Sequence, residues 1–217
     1  MAADDLIGAY RRSRRRLVEQ LRAAGIEDLA VLHAFDSVPR HLFVPEAVRH
    51  RAYEDVALPL GHGQTISRPF SHALHLQLAR LHGSEQVLEI GSGSGFQTAL
   101  LARLVQRVYS IEVVPELAAQ VQTRLSALQI DNVVLRTGDG SAGWPERAPF
   151  DTILVGAAAP AIPAPLREQL AEGGRLLIPI GDEKGQRLLL IERRHDEWTE
   201  AEVDSARFVP LVGEEGW

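Results

Sequence analysis

The chain has 217 residues, 45% hydrophobic and 24% charged, with 18 glycines and 12 prolines, which suits one α/β domain with one main core. A formal charge of −6 and a pI near 5.8 give no overall pull toward nucleic acid. With no cysteine, disulfides, thiolate zinc sites and cysteine nucleophiles are excluded. No apolar run approaches the roughly 20 residues of a membrane span, and the N-terminus lacks a signal peptide's hydrophobic stretch, so a cytoplasmic protein without membrane partners is expected.

Helical patterns fill residues 4–24 and 27–36. In the first, Leu6, Tyr10, Leu17 and Leu21 share an apolar face and RRSRRR at 11–16 forms the solvated one; polyanion binding by these arginines is the alternative. Pro39 and Pro45 then break the periodicity and leave short helical turns. GHGQTISRPF, 61–70, is a loop crowded with small and hydrogen-bonding residues, followed by an amphipathic helix, PFSHALHLQLARL. Ser67 in that loop reads either as a helix start close before Pro69 or as part of a lid over something polar.

From residue 86 strands and helices alternate. QVLEIG (86–91), RVYSIEVV (107–114), NVVLRTGD (132–139), FDTILVGA (150–157) and GGRLLIPIG (173–181) read as strands. FQTALLARLV, PELAAQVQTRLSAL and PAPLREQLAE read as helices between them, with Gly173 and Gly174 as the turn out of the last. QRLLLIERR (186–194) pairs as a hairpin after a GDEKG turn, and ARFVPLV offers a last short strand. Near-continuous apolar strands alternating with helices predict an α/β fold, Rossmann-like, with a mostly parallel sheet covered on both faces. Residues 1–85 read as a helical addition with a loop, packed on an 86–217 core in a single domain.

The strongest local signal is VLEIGSGSGFQTALLA, 87–102, where Gly91, Gly93 and Gly95 lie between a strand and a helix. In open α/β sheets ligands bind beyond the carboxyl ends of the strands, where glycine lets the backbone come close. A dinucleotide fingerprint needs its third glycine at 96, which is Phe96, and no Walker lysine follows. Glu112 at the end of the second strand is placed to accept from ribose hydroxyls and Asp139 at the end of the third to border a base; the alternative for each alone is a surface carboxylate at a strand end. Glu89 adds negative charge that favours a cationic ligand over a pyrophosphate.

This pattern resembles the class I S-adenosylmethionine-dependent methyltransferases. VPRHLFVPEAVRHRAYEDVALPLGHGQTIS, GDGSAGWPERAPFDTILVGAAAP and RFVPLVGEEGW narrow the resemblance, over about residues 35–217, to the protein-L-isoaspartate O-methyltransferases. The resemblance implies S-adenosyl-L-methionine as cofactor and S-adenosyl-L-homocysteine as product. It implies methylation of the α-carboxylate of L-isoaspartyl residues, and less efficiently D-aspartyl residues, in damaged proteins and peptides. The ester then closes to a succinimide unaided. Ser67 in GQTIS matches the family's active-site serine, with Gln64, Thr65 and Ile66 completing a lid whose hinges are Gly61 and Gly63. Glu89, Gly91, Ser92, Gly93 and Gly95 match the cofactor loop, Glu112 the ribose carboxylate, Asp139 with Gly140 the adenine edge, and His72 a cofactor-side histidine. No metal is implied, and a monomer suffices.

Two positions depart from the family pattern: Arg68, where neutral residues are usual, and Val212, which replaces a frequent threonine. A methyltransferase for a small-molecule acid or another oxygen nucleophile would keep the glycine loop, Glu112 and Asp139 but has no use for GQTIS. A non-catalytic module on the same fold would need neither the intact loop nor Ser67.

Overall fold

A computed structural model describes residues 9–195 and 197–217. Leu6 and the start of the first helical pattern lie outside the described residues. Helix α1, Arg11–Ala23, buries Leu17 and Leu21 while Arg11, Arg12, Arg15 and Arg16 are exposed. Helix α2, Leu29–Ser37, begins at Asp28, whose carboxylate accepts from the Ala30 and Val31 amides at 2.9 and 3.2 Å. Pro39 and Pro45 each precede a 3₁₀ turn, Arg40–Leu42 and Glu46–Arg51.

The stretch read as a loop is a small antiparallel hairpin, β1 (Leu58–Gly61) and β2 (Gln64–Ile66). Gly61, His62 and Gly63 turn it with positive φ, so the two glycines act as turn residues. Helix α3, Pro69–Ala79, follows with proline in its first turn and Arg68 at its N-cap, so Ser67 does not start the helix.

The main sheet has seven strands among the described residues: β3 (Gln86–Ile90), β4 (Arg107–Glu112), β5 (Val133–Thr137), β6 (Phe150–Val155), β7 (Leu170–Asp182), β8 (Gly185–Arg194) and β9 (Glu197–Ala206). Their order is β5-β4-β3-β6-β7-β8-β9, parallel through β7 and antiparallel for the last two pairs. Helices α4 (Phe96–Leu101), α5 (Pro115–Ala127) and α6 (Ala164–Glu168) link the parallel strands.

Strand alternation divides the core between the two faces. Val87, Val108 and Leu177 pack with α1, α2 and α3 residues such as Leu17, Phe35 and Leu76. Leu88, Tyr109, Leu176 and Ile178 pack on the other face with Phe150 and Leu166. The N-terminal helices therefore share a buried cluster with the sheet.

Two boundaries differ from the sequence expectation. PAPLREQLAE does not stay helical: α6 ends at Glu168 and Leu170 already pairs with Phe150. Gly173 and Gly174 lie inside β7, where the register slips between the Phe150–Leu170 and Thr152–Arg175 pairs. The last strand is EWTEAEVDSA rather than ARFVPLV, whose Pro210 makes one isolated bridge to Ala158. EWTEAEVDSA lies at the sheet edge, so polar side chains there cost little and its apolar alternation is weak.

Candidate active site

The strand order reverses between β3 and β6, because the chain runs β3, β4, β5 to one side and then crosses to the other. Such a switch point leaves a crevice at the carboxyl ends of the strands. Here it is bounded by Gly91 after β3 and Gly156 after β6, joined by a bond from the Gly156 amide to the Ile90 carbonyl at 2.8 Å.

The glycine loop folds back over this crevice. Gly95 has φ +83° and caps α4, and a Cβ there would lie 2.9 Å from Val121 on α5, so both conformation and space call for glycine. Glu112, at the end of β4 and 4% exposed, ties the loop down. Its Oε2 accepts from the Gly93 amide at 2.7 Å and the Ser92 hydroxyl at 3.4 Å, and its Oε1 accepts from the Val114 amide at 3.0 Å. Two oxygens offer about four lone-pair sites, so a further hydroxyl can still be accepted. Gly91, Ser92, Gly93, Glu112 and Gly140 all line the pocket.

Glu89 lies apart from them. Alternation along β3 turns it to the Val87 face, where it is fully buried under α4 and accepts from the Thr98 hydroxyl at 2.5 Å and the Ser110 hydroxyl at 2.7 Å. Burial pushes its carboxyl up to about 7, against the opposing pull of those hydroxyls. Much of the negative charge expected from this residue is thereby withdrawn at neutral pH, and it ties α4 to β4 through Thr98 and Ser110 instead of lining the pocket.

The hairpin brings Gln64, Thr65, Ile66 and Ser67 to the opposite wall. The Ser67 hydroxyl has no hydrogen-bond partner among the described residues, whereas its carbonyl accepts from Arg40 at 2.8 Å. His72, one helical turn on, lines the same wall. Its Nδ1 lies 3.0 Å from Gln97 Oε1, an acceptor, so Nδ1 carries the proton and the buried, unpartnered Nε2 is left as an acceptor. Burial and the nearby Arg40 lower its pKa to about 3 despite the Gln97 bond, so the ring is neutral. His75, stacked on Phe208 at 5.5 Å, is likewise held neutral by burial, with a pKa lowered to about 4.

The remaining wall is the C-terminal segment. Phe208–Val212 line the pocket, and Val212, where a threonine was expected, is 54% exposed. Gln186 grips this segment through both backbone groups of Phe208, and Trp217 donates from Nε1 to the Ala158 carbonyl at 3.0 Å. Asp139, expected at a base edge, is not among the lining residues. Its Oδ1 accepts from the Ser141 amide at 2.7 Å and its Oδ2 from the Glu214 amide at 2.8 Å. A side chain at Gly213 would collide with that carboxylate. Asp139 thus clasps the tail that walls the site. Hydrogen bonds to a charged group contribute about 1.5–3 kcal/mol, so Asp139→Ala should speed amide exchange across residues 208–217 by at least about 10-fold, read by mass spectrometry. Unchanged exchange would assign the anchoring to the other tail contacts, from Gln186, Ser141, Trp217 and the Ala158 backbone.

The sequence reading missed Ser71, His75, Gln97 and the tail residues as pocket walls, and Arg40 behind Ser67. Gln97 was legible in principle, sitting two residues past Gly95 at the start of α4. The others come together only through long-range packing. Arg68, the other departure, points away: its guanidinium lies over Phe70 and pairs with Asp55 at 3.7 Å. Glu112 is the one carboxylate residue among the described pocket lining, and no lysine or arginine lines it. The site therefore suits a neutral or cationic nucleoside better than a phosphate-bearing one.

The sequence model of the family described as protein-L-isoaspartate(D-aspartate) O-methyltransferase matches residues 12–216. A protein-L-isoaspartate O-methyltransferase 1 from Syntrophobacter fumaroxidans is 49% identical over 209 residues, 96% of this chain and 98% of the relative. A protein-L-isoaspartate O-methyltransferase 2 from Marinobacter nauticus is 52% identical over 207 residues, 94% of each chain. Among solved structures, a protein-L-isoaspartate O-methyltransferase superposes with a TM-score of 0.86 at 29% identity, covering 94% of this chain and 67% of its own. A Plasmodium falciparum protein described as a protein-L-isoaspartate O-methyltransferase, in complex with S-adenosyl-L-homocysteine, gives 0.81 at 28% identity, covering 92% of this chain and 98% of its own.

Proposed function

Because the chain belongs to the protein-L-isoaspartate(D-aspartate) O-methyltransferase family, we propose that it methylates the α-carboxylate of isoaspartyl residues in damaged proteins, using S-adenosyl-L-methionine. The observation that supports the site assignment is Ser67: it lines one pocket with the glycine loop, and its hydroxyl has no hydrogen-bond partner among the described residues.

Bound S-adenosyl-L-methionine supplies a sulfonium-activated methyl group, which a carboxylate oxygen can take without proton transfer. The residues present fit that group. Gly91, Ser92 and Gly93 leave the backbone open to it, Glu112 keeps acceptor capacity for a ribose hydroxyl, and Gly140, in the same lining, would border the base. No cation lines the pocket to demand a phosphate.

A substrate carboxylate has a solution pKa of about 3–4 and arrives already ionised, so the protein's task is alignment and removal of water. Ser67 donates a hydrogen bond that orients the substrate carboxylate. Gln64, Thr65 and Ile66 cover the site, with the tail residues Phe208–Val212 opposite. The neutral imidazoles of His72 and His75 neither compete with the substrate for a proton nor present a charge. Among the described residues no helix is long and apolar enough to cross a membrane.

The test pairs two peptides that differ only in Asp versus isoAsp, each incubated with labelled S-adenosyl-L-methionine. Base-labile label should enter the isoAsp peptide alone. Label in neither peptide, with cofactor binding intact by calorimetry, would overturn the substrate assignment.

A further inference from the structure

The Ser67 turn is held from behind by a buried arginine. Arg40 opens the 3₁₀ turn after α2 and is 1% exposed. Its Nε donates to the Ala52 carbonyl at 2.9 Å and its Nη2 to the Ser67 carbonyl at 2.8 Å, while the guanidinium lies 4.9 Å from the centre of the Phe96 ring at the head of α4. Nη1 is buried without a hydrogen-bond partner among the described residues. Asp55 completes the frame from the other side: its Oδ1 accepts from the Phe70 amide at 2.8 Å and its Oδ2 pairs with Arg68. The backbone from Ser67 to Phe70 is therefore pinned at both ends by charged side chains.

Burying a guanidinium costs several kcal/mol unless hydrogen bonds and nearby charge offset it, and an apolar side chain could fill this volume more cheaply. What an apolar residue, or a lysine, cannot supply is a rigid planar fork that meets two carbonyls from different segments while resting on an aromatic face. Burial lowers the Arg40 pKa to about 9, so the fork stays protonated at neutral pH.

We infer that Arg40 is a positioning residue for methyl transfer: its fork fixes the Ser67 carbonyl and so sets where the Ser67 hydroxyl stands in the site. The inference rests on the reading of Ser67 given above. Arg40 lies outside the pocket lining and reaches it by its bond to the Ser67 carbonyl; its charge also bears on His72, an effect that Arg40→Lys keeps.

The experiment is a double-mutant cycle on the full chain, with kcat and KM measured for both substrates in wild type, Ser67→Ala, Arg40→Lys and the double variant. Arg40→Lys should lower kcat about 10-fold or more with little change in the KM for S-adenosyl-L-methionine, since a misplaced group of this kind costs on the order of 10–100-fold. In the Ser67→Ala background the same change should cost nothing further. An equal fold-loss in both backgrounds would overturn the inference, because Arg40 would then serve the fold at large. Full turnover by Ser67→Ala would sink the underlying Ser67 reading instead. If Arg40→Lys fails to fold, the neutral Arg40→Gln, which keeps a single donor nitrogen, is read through the same cycle with the same deciding outcomes.

Discussion

Replacing Ser67 with alanine should lower turnover about 100-fold while cofactor affinity changes by less than about 3-fold. The asymmetry follows from what the side chain touches. Its hydroxyl makes no bond within the described protein, so its loss removes no fold contact, and the Arg40 bond to its carbonyl is kept. On the proposed reading, what disappears is the donor that orients the substrate carboxylate. Glycine-loop and Glu112 contacts stay in place. Single-turnover kinetics beside calorimetry separates the two quantities. Unchanged turnover would remove Ser67 from the chemistry, and an equal loss in affinity would make it a binding residue only.

The second large effect belongs to Glu112. Glu112→Ala should weaken S-adenosyl-L-methionine binding by about 10–100-fold, the equivalent of losing charge-assisted hydrogen bonds of about 1.5–3 kcal/mol. Two losses combine. The carboxylate that holds the Gly93 and Val114 amides is gone, so the glycine loop loses its anchor, and the remaining acceptor for a ribose hydroxyl goes with it. Glu112→Gln keeps one acceptor oxygen and should fall between wild type and alanine. Calorimetry reads the affinity, and circular dichroism checks that the sheet survives. Binding within about 2-fold of wild type for the alanine variant would refute the ribose role.

The alternatives raised by the sequence differ in what they leave idle. A small-molecule methyltransferase has no need for the hairpin that carries Ser67 to the pocket, and a non-catalytic module has no need for a hydroxyl left without a partner there. Near-full-length relatives at about half identity, all described as isoaspartate methyltransferases, favour the protein-repair reading.

Local sequence determined those parts of the protein that depend on neighbours in the chain. Apolar β-branched runs ending in glycines marked the parallel strands, and the turn before α4 was legible because Gly95 must hold a positive φ against Val121. Glu112 was legible as a position, because it ends the second parallel strand on the side where ligands of open α/β sheets bind. Tertiary structure alone decided the rest. Glu89 and Glu112 look alike in sequence and share one face of the sheet, yet Glu89 sits inside its strand beside Ser110 and under α4, whereas Glu112 stands at the strand's end against the glycine loop and the pocket. Asp139 turned out to hold the tail because the last residues return across the sheet to meet it. Arg40 meets Ser67 from 27 residues away, through a bond that no periodicity encodes. β9 was missed because an edge strand needs only one partner and can be polar. Chain-local rules fix φ, burial face and element type, whereas the partners of a buried charge are chosen by packing between segments that the sequence keeps far apart.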